Sequence, residues 1–160
     1  MLKGKIVWMT GAGTGIGLAG AQALADGGAT VVMSGRRKEV LVREADRIVA
    51  AGGRAEAEPL DVSDPDAVER MAAAIVGRHG TIHILVNSAG LNCPKRFWNE
   101  VSVADWQQVI RVNLDGSFYC TRAVLPHMRR QQDGLVINIS SWAGKYLSSL
   151  VGPEIGRAHV

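Results

Sequence analysis

The sequence is poor in cysteine and contains no long apolar segment. Its two cysteines, Cys93 and Cys120, are too few for a disulfide framework, which favours a cytoplasmic location. No apolar run reaches the roughly 18 residues that a membrane-spanning helix needs, so we expect no membrane association. The first five residues, MLKGK, lack the apolar core of a signal peptide. Repeats and linkers are also missing, and a chain of 160 residues is long enough for one domain with a buried core.

An excess of charge of one sign is missing too. The net charge is +3, and the basic residues are dispersed apart from short pairs such as Arg36-Arg37 and Arg129-Arg130. A solvated surface is the preferred interpretation of these pairs, and a nucleic-acid surface is the alternative. We therefore expect no nucleic-acid partner, and we assign no metal ligands.

A glycine-rich stretch, TGAGTGIG at residues 10–17, lies between a predicted strand and a predicted helix. The apolar run Ile6–Met9 precedes it, and the alanine-rich run Leu18–Ala25 follows it. In this context the turn predicts a phosphate-binding site, because the free N–H groups and the dipole of the new helix face an anion. Gly11 and Gly15 would let the backbone turn sharply and approach a ligand.

Three other interpretations of these glycines compete with a phosphate-binding turn. A Walker loop is excluded, because it ends in Gly-Lys-Ser/Thr and no lysine lies in this stretch. A three-glycine dinucleotide fingerprint drawn through Gly15, Gly17 and Gly20 lacks an acidic residue about 20 positions later. A plain tight turn between the strand and the helix is the third interpretation, and the sequence does not exclude it. We expect Gly17 to let the helix pack closely on the strand.

The motif Thr10-Gly11-x-x-x-Gly15-x-Gly17 resembles the cofactor motif of the short-chain dehydrogenase/reductase family, single-domain type. The resemblance extends to about residue 153. It implies an α/β, Rossmann-like fold, with a doubly wound parallel sheet in the strand order 3-2-1-4-5, truncated after the fifth strand. It also implies an NAD(P)-dependent oxidoreductase that transfers a hydride between the cofactor and a small alcohol or carbonyl substrate. Because relatives often pair through the helix around residues 113–130, a homo-oligomer is expected for the full-length protein.

The end of the second predicted strand, Thr30–Ser34, is expected to meet the adenosine ribose of the cofactor. An acidic residue there would bind the 2′-hydroxyl group and repel a 2′-phosphate, but this sequence has Gly35 followed by Arg36. A guanidinium group suits a phosphate, so Arg36 predicts a preference for NADP(H) over NAD(H). A surface arginine pair is the alternative.

Two further motifs resemble family positions at the cofactor cleft. Asp61-Val62 follows the third predicted strand, where the family holds the adenine through an amide and a side-chain oxygen. Asn87-Ser88-Ala89-Gly90 resembles the family's Asn-Asn-Ala-Gly, which stabilises the central sheet and lines the cleft, and a generic turn is the alternative. The cofactor-binding residues predicted in this way are Thr10, Gly11, Thr14, Gly15, Ile16, Gly17, Arg36, Asp61, Val62, Asn87, Ala89 and Gly90.

Two residues match catalytic positions of the family. Asn113 matches the asparagine that binds a water molecule in a proton relay, and a buried asparagine at a helix kink is an interpretation compatible with that role. The fifth predicted strand, residues 134–141, ends at Ser141, which matches the serine that holds the substrate oxygen. Phe97 and Trp98 lie in the loop where substrate contacts are expected to begin, and we expect both to be buried anchors of that loop.

The family's Tyr-x-x-x-Lys motif, which supplies the acid/base tyrosine and the lysine that lowers its pKa, is missing from the sequence. The two tyrosines are Tyr119 and Tyr146, and Ala123 and Leu150 stand four positions after them. We therefore expect the 160-residue chain to be inactive by itself. A non-catalytic dinucleotide-binding module and a fragment that binds nothing are the alternatives.

The last seven residues, EIGRAHV at 154–160, match the translation of a widely used sequencing-library adapter, GAG ATC GGA AGA GCA CAC GTC. The next codon of that adapter is a stop. We therefore expect residues 154–160 to be a non-native tail, with a genuine short tail as the alternative. Residues 1–153 would then be an NAD(P)-binding Rossmann-like domain that is incomplete at its C-terminus.

Overall fold

The computed structural model describes residues 2–93, 95 and 97–141. These residues form a five-stranded sheet in the order β3-β2-β1-β4-β5, in which every neighbouring pair of strands is parallel. The predicted doubly wound α/β fold and its strand order are confirmed. The adapter-like tail predicted at residues 154–160 lies outside the described residues.

Strands and helices alternate along the chain up to β4. The strands are β1 Ile6–Thr10, β2 Thr30–Gly35, β3 Arg54–Pro59, β4 Ile84–Asn87 and β5 Leu135–Asn138. The helices are α1 Gly15–Asp26, α2 Lys38–Ala50, α3 Pro65–His79, α4 Val103–Ile110 and α5 Gly116–Gln131. A π-helical turn, Arg111–Asp115, joins α4 to α5. β5 is shorter than the strand predicted over residues 134–141, and it forms an edge of the described sheet.

The central strands β2, β1 and β4 are buried on both faces of the sheet. Val7 and Met9 of β1 face α1 and α2, whereas Trp8 between them faces α3 and α5. The side chain of Trp8 is fully buried, and its indole Nε1 donates a hydrogen bond to Ser34 Oγ at 3.0 Å. Because neighbouring strands run parallel, their carboxyl ends meet at one edge of the sheet, where the turns that follow β1 and β4 lie together.

Helix ends follow the local sequence signals. Asp64 caps α3 by accepting a hydrogen bond from the N–H of Ala67 at 3.0 Å, and Pro65 occupies the first turn, where its fixed φ suits a helix. Gly80 ends α3 in the left-handed conformation, with φ of 77°. Among the described residues, no helix is both long enough and apolar enough to span a bilayer.

The expectation that Phe97 and Trp98 are buried anchors is wrong. Phe97 is 51% exposed and Trp98 is 60% exposed. The backbone N–H groups of Glu100 and Val101 both donate to the carbonyl of Phe97, so this part of the loop forms a tight turn of its own. Trp98 packs against Trp106 of α4, with the ring centroids 5.8 Å apart, instead of entering the core.

Candidate functional site

A cleft of about 690 Å³ lies beyond the carboxyl ends of the parallel strands. Its volume falls in the range of small-molecule and cofactor sites. Ten of the predicted cofactor-binding residues line it, namely Gly11, Thr14, Gly15, Ile16, Gly17, Arg36, Asp61, Val62, Ala89 and Gly90.

The turn between β1 and α1 requires glycine at several positions. Gly11 and Gly15 have φ of 66° and 58°, which L-residues with a side chain rarely adopt. A Cβ on Gly17 would lie 2.2 Å from the carbonyl oxygen of Gly11, and a Cβ on Gly11 would lie 2.7 Å from the backbone of Ala89. The first turn of α1 has no acidic side chain, so its N–H groups and the helix dipole remain favourable to an anion in the cleft.

Thr10 lies behind the cleft wall and joins the two turns that form it. Its hydroxyl accepts hydrogen bonds from the backbone N–H groups of Ser88 and Ala89, both at 3.1 Å. The same hydroxyl donates to the carbonyl of Val86 at 3.4 Å. Because Thr10 is 1% exposed, its hydroxyl links the β1 turn to the β4 turn without contact with solvent.

Two arginines lie at the end of the cleft that β2 forms. Arg36 and Arg37 are both exposed, and Arg37 Nη2 donates to Thr14 Oγ1 at 3.3 Å. Asp61 lies nearby: partial burial raises the pKa of its carboxyl, but hydrogen bonds from Ser63 and the positive charge of Arg36 outweigh this and hold that pKa below its ordinary value. The cleft therefore has a cationic end with an ionised carboxylate beside it.

Asn87 lies outside the lining of the cleft and contacts α5 and β5. Its Nδ2 lies 2.9 Å from Asn138 Oδ1, 3.1 Å from Thr121 Oγ1 and 3.4 Å from the carbonyl oxygen of Ser117. The side chain is 4% exposed, so these contacts tie β4 to β5 and α5 inside the protein. This placement suits the sheet-stabilising part of the role that the resemblance implies.

Asn113 lies in the π-helical turn and is buried. Its Nδ2 donates to the carbonyl of Leu91 at 3.0 Å, and its Oδ1 accepts from the N–H of Leu91 at 2.9 Å. Ser117 Oγ donates to the main-chain carbonyl of Asn113 at 3.0 Å. The side-chain amide thus holds the loop after β4, and the alternative of a buried asparagine at a helix irregularity describes its local structure.

Ser141 lies three residues beyond the end of β5 and is partly buried. Before it, the N–H of Ile139 donates to the carbonyl of Asn87 at 2.9 Å, which continues the pairing of β5 with β4. The structure therefore places Ser141 at the carboxyl edge of the sheet. It does not bring Ser141 into the cleft wall that the described residues form.

Both cysteines are free thiols buried in the fold. Burial, together with the nearby charge of Asp105, raises the pKa of the Cys93 thiol. Burial raises the pKa of the Cys120 thiol to about 12. Both are therefore protonated near neutral pH and poor nucleophiles. Within residues 2–93, 95 and 97–141, no three His, Cys, Asp or Glu side chains form a group that could hold a metal ion.

Sequence reasoning missed several residues of the cleft wall. Arg37 was assigned only to a basic pair, although its position next to Arg36 is a usable signal. Gly13, Gly35 and Ser88 also line the cleft and lie in or beside the quoted motifs. Four further lining residues are apolar and carry no motif that could reveal them, because they enter the wall through packing. They are Leu41, Leu60, Leu91 and Val112.

Known proteins resemble this chain in fold and in sequence. A metagenomic short-chain oxidoreductase, solved as a crystal structure in complex with NADP, superimposes with a TM-score of 0.92 at 36% identity, covering 98% of this chain and 72% of that one. The 3-oxoacyl-acyl-carrier-protein reductase of Thermotoga maritima is 36% identical over 148 residues, and the meso-2,3-butanediol dehydrogenase of Serratia marcescens is 36% identical over 142 residues.

These relatives are longer proteins. The matches cover 91% and 88% of this chain but 58% and 54% of the Thermotoga and Serratia proteins, respectively. The family model for short chain dehydrogenases matches residues 5–152. Because that match takes in most of the sequence, the chain belongs to the short-chain dehydrogenase family.

Proposed function

We propose that the chain is the cofactor-binding part of an NAD(P)-dependent oxidoreductase that exchanges a hydride between NADP(H) and an alcohol or carbonyl substrate. One observation carries this proposal: the cleft combines a glycine turn at the N-terminus of α1 with two arginines at the end of β2. The first feature suits a pyrophosphate, and the second suits a 2′-phosphate. The similar crystal structure in complex with NADP supports it.

The proposed assignments follow the geometry of the cleft. A side chain at Gly11 would clash with Ala89, and one at Gly17 would clash with Gly11. These close backbone approaches shape the turn whose N–H groups would bind the pyrophosphate. Arg36 would hold the 2′-phosphate, and Arg37 lies beside it on Thr14. Asp61 and Val62 would flank the adenine, since they line the same end of the cleft.

Catalysis is proposed for the whole protein. The bound nicotinamide would supply or accept the hydride. Ser141 would hold the substrate oxygen, and Asn113 would belong to the proton relay. The acid/base tyrosine and its lysine would have to come from residues beyond this sequence, because the Tyr-x-x-x-Lys motif is missing from it. A non-catalytic dinucleotide-binding module is the second candidate, and that missing motif is the observation that favours it.

Titration of the 160-residue chain with NADPH and NADH tests the cofactor part of the proposal. We expect NADPH to bind, with an affinity that falls as salt is added, because phosphate contacts with exposed arginines are screened. NADH, which lacks the 2′-phosphate, should bind more weakly. A chain that is folded by circular dichroism but binds neither nucleotide would rule out both candidates and leave a fragment without ligand.

We also propose that the full-length protein is a homo-oligomer in the cytoplasm. The resemblance implies pairing through the helix around residues 113–130, and Phe118 on that helix is 59% exposed. The mass of the full-length protein by light scattering tests this. We expect at least a dimer, and we expect Phe118→Glu to shift it towards a monomer.

A further inference from the structure

The π-helical turn Arg111–Asp115 contacts two separate segments of the cleft wall. On one side, the Asn113 amide holds Leu91 through two hydrogen bonds. On the other side, Gly116, the first residue after the turn, packs against Val62. Leu91 and Val62 both line the cleft. Such π-helical turns occur frequently at functional sites.

The contact between Gly116 and Val62 has no room for a side chain. A Cβ on Gly116 would lie 2.6 Å from Cγ2, 3.1 Å from Cβ and 3.3 Å from the carbonyl oxygen of Val62. Two of these atoms belong to the stem and the backbone of Val62, so rotation of its side chain alone would not remove the crowding. Val62 is 5% exposed and has little free space to move into within the core.

Backbone conformation does not explain the glycine. Gly116 has φ of −60° and ψ of −41°, which are ordinary helical values that any L-residue adopts. Helix propensity would favour alanine here over glycine. The requirement for glycine at this position therefore comes from the approach of α5 to Val62.

We propose that Gly116 is a positioning residue for the adenosine half of the cofactor, because it sets where Val62 and the adjoining Asp61 stand in the cleft. This inference rests on the proposed dinucleotide function. An alanine at residue 116 would push the Asp61-Val62 segment towards the adenine. The opposite side of the π-helical turn would keep Leu91 in place through Asn113.

The test compares Gly116→Ala with wild type in titrations with NADPH and with adenosine 2′,5′-bisphosphate, which carries only the adenosine half. We expect Gly116→Ala to weaken both ligands by the same factor of about ten. A smaller folded fraction would also weaken both ligands equally, so the titrations are made at a temperature at which circular dichroism shows the variant to be fully folded. Equal losses in that folded variant would place the effect at the adenosine end. Gly77→Ala is the matched control, because a Cβ at Gly77 in α3 would have no neighbour within 4 Å.

The double variant Val62→Ala/Gly116→Ala removes the 2.6 Å contact with Cγ2 and leaves the contacts of 3.1 and 3.3 Å, which shifts of a few tenths of an ångström relieve. We expect it to bind both ligands within about twofold of Val62→Ala alone, so the two substitutions are coupled through their contact. If Gly116→Ala alone does not fold, the comparison of the double variant with Val62→Ala tests the positioning role of Gly116. A folded Gly116→Ala variant that binds like wild type, or a tenfold loss that persists in the double variant, overturns the inference. Failure of the wild-type chain to bind either ligand instead overturns the proposed function, and the inference falls with it.

Discussion

The hydroxyl of Thr10 accepts two backbone hydrogen bonds, from Ser88 and from Ala89, each at 3.1 Å. The residues are far apart in the sequence, and all of them lie at the carboxyl ends of neighbouring strands. One buried oxygen atom therefore holds the glycine turn of β1 against the turn that follows β4. The cleft exists between these two turns and the end of β2.

We expect Thr10→Val to destabilise the fold more than Thr10→Ser. Valine has the shape of threonine but leaves the N–H groups of Ser88 and Ala89 without their acceptor, at a cost of about 1–3 kcal/mol for each group that stays buried. Serine keeps the oxygen and loses a methyl group, which costs about 1 kcal/mol. Urea unfolding followed by tryptophan fluorescence measures the loss of unfolding free energy in each variant. Equal losses of unfolding free energy in the two variants would contradict the role of the hydroxyl.

Arg36 should determine the preference for a 2′-phosphate. We expect Arg36→Leu to weaken NADPH binding about tenfold, since a charge-assisted hydrogen bond is worth about 1.5–3 kcal/mol and Arg37 can retain part of the attraction. NADH binding should change by less than about twofold, because NADH lacks the phosphate. Arg129→Leu on α5 is the control for the loss of one exposed guanidinium. Equal losses of affinity for NADPH and for NADH would show that Arg36 does not select for the 2′-phosphate.

The sequence predicts those parts of the fold that depend on neighbours in the chain. Asp64 with Pro65 begins a helix, and the apolar residues around Trp8 form a buried strand, as their local patterns indicate. The contacts of Asn113 with Leu91 and of Gly116 with Val62 join residues distant in the sequence, so no local pattern reveals them.

The exposure of Phe97 and Trp98 is another feature that local sequence patterns do not predict. Aromatic side chains are commonly buried, and the sequence alone favours that outcome. Whether a loop residue reaches the core depends on the path of the loop, which here includes a tight turn at the carbonyl of Phe97. The packing of Trp98 on Trp106 then gives the ring a partner at the surface.

His83 should make the free energy of unfolding depend on pH. Its Nδ1 accepts a hydrogen bond from the N–H of Ile6 at 2.9 Å, which a doubly protonated ring cannot do. Burial lowers the pKa of His83, the charge of Lys5 lowers it further, and Asp133 opposes the shift in part. Because the folded pKa lies below the unfolded value of about 6.5, His83 stabilises the fold above that pH. This stability is lost as pH falls through the folded pKa.

Urea unfolding between about pH 5 and pH 8 measures this effect. We expect His83→Asn to flatten the pH dependence, because the Oδ1 of asparagine is attached to Cγ as Nδ1 is, so it can still accept from Ile6, and it does not titrate. The hydrogen bond from Lys5 holds the pKa of Asp133 below its ordinary range, so that carboxyl does not titrate in this window. If the His83 variant keeps the wild-type dependence of the unfolding free energy on pH, other groups cause that dependence.

The 160-residue chain should not turn over carbonyl substrates at a useful rate, even if it binds NADPH. Loss of a general acid/base alone costs about 10²–10⁴-fold. NADPH oxidation with a panel of ketones and aldehydes measures turnover. In parallel, the gene should be read past the codon for Pro153, where we expect a Tyr-x-x-x-Lys motif within a few codons. Robust turnover by the chain, or a gene that encodes Glu154–Val160 and then stops, would contradict these expectations.

β5 should make the chain prone to self-association. It pairs with β4 on one side and is the last strand of the described sheet on the other. Its apolar residues Leu135 and Ile137 are 51% and 36% exposed. An edge strand with exposed apolar side chains is a template for pairing with another chain.

We therefore expect Leu135→Lys to slow the concentration-dependent rise in light scattering, because a charge on an edge strand disfavours pairing with a second strand. Val49→Lys is the matched control, since Val49 is also 51% exposed but lies on a helix, α2, at the opposite side of the sheet from β5. If both lysines reduce association equally, net charge is the cause. If only Leu135→Lys does so, the strand edge is the surface through which the copies meet.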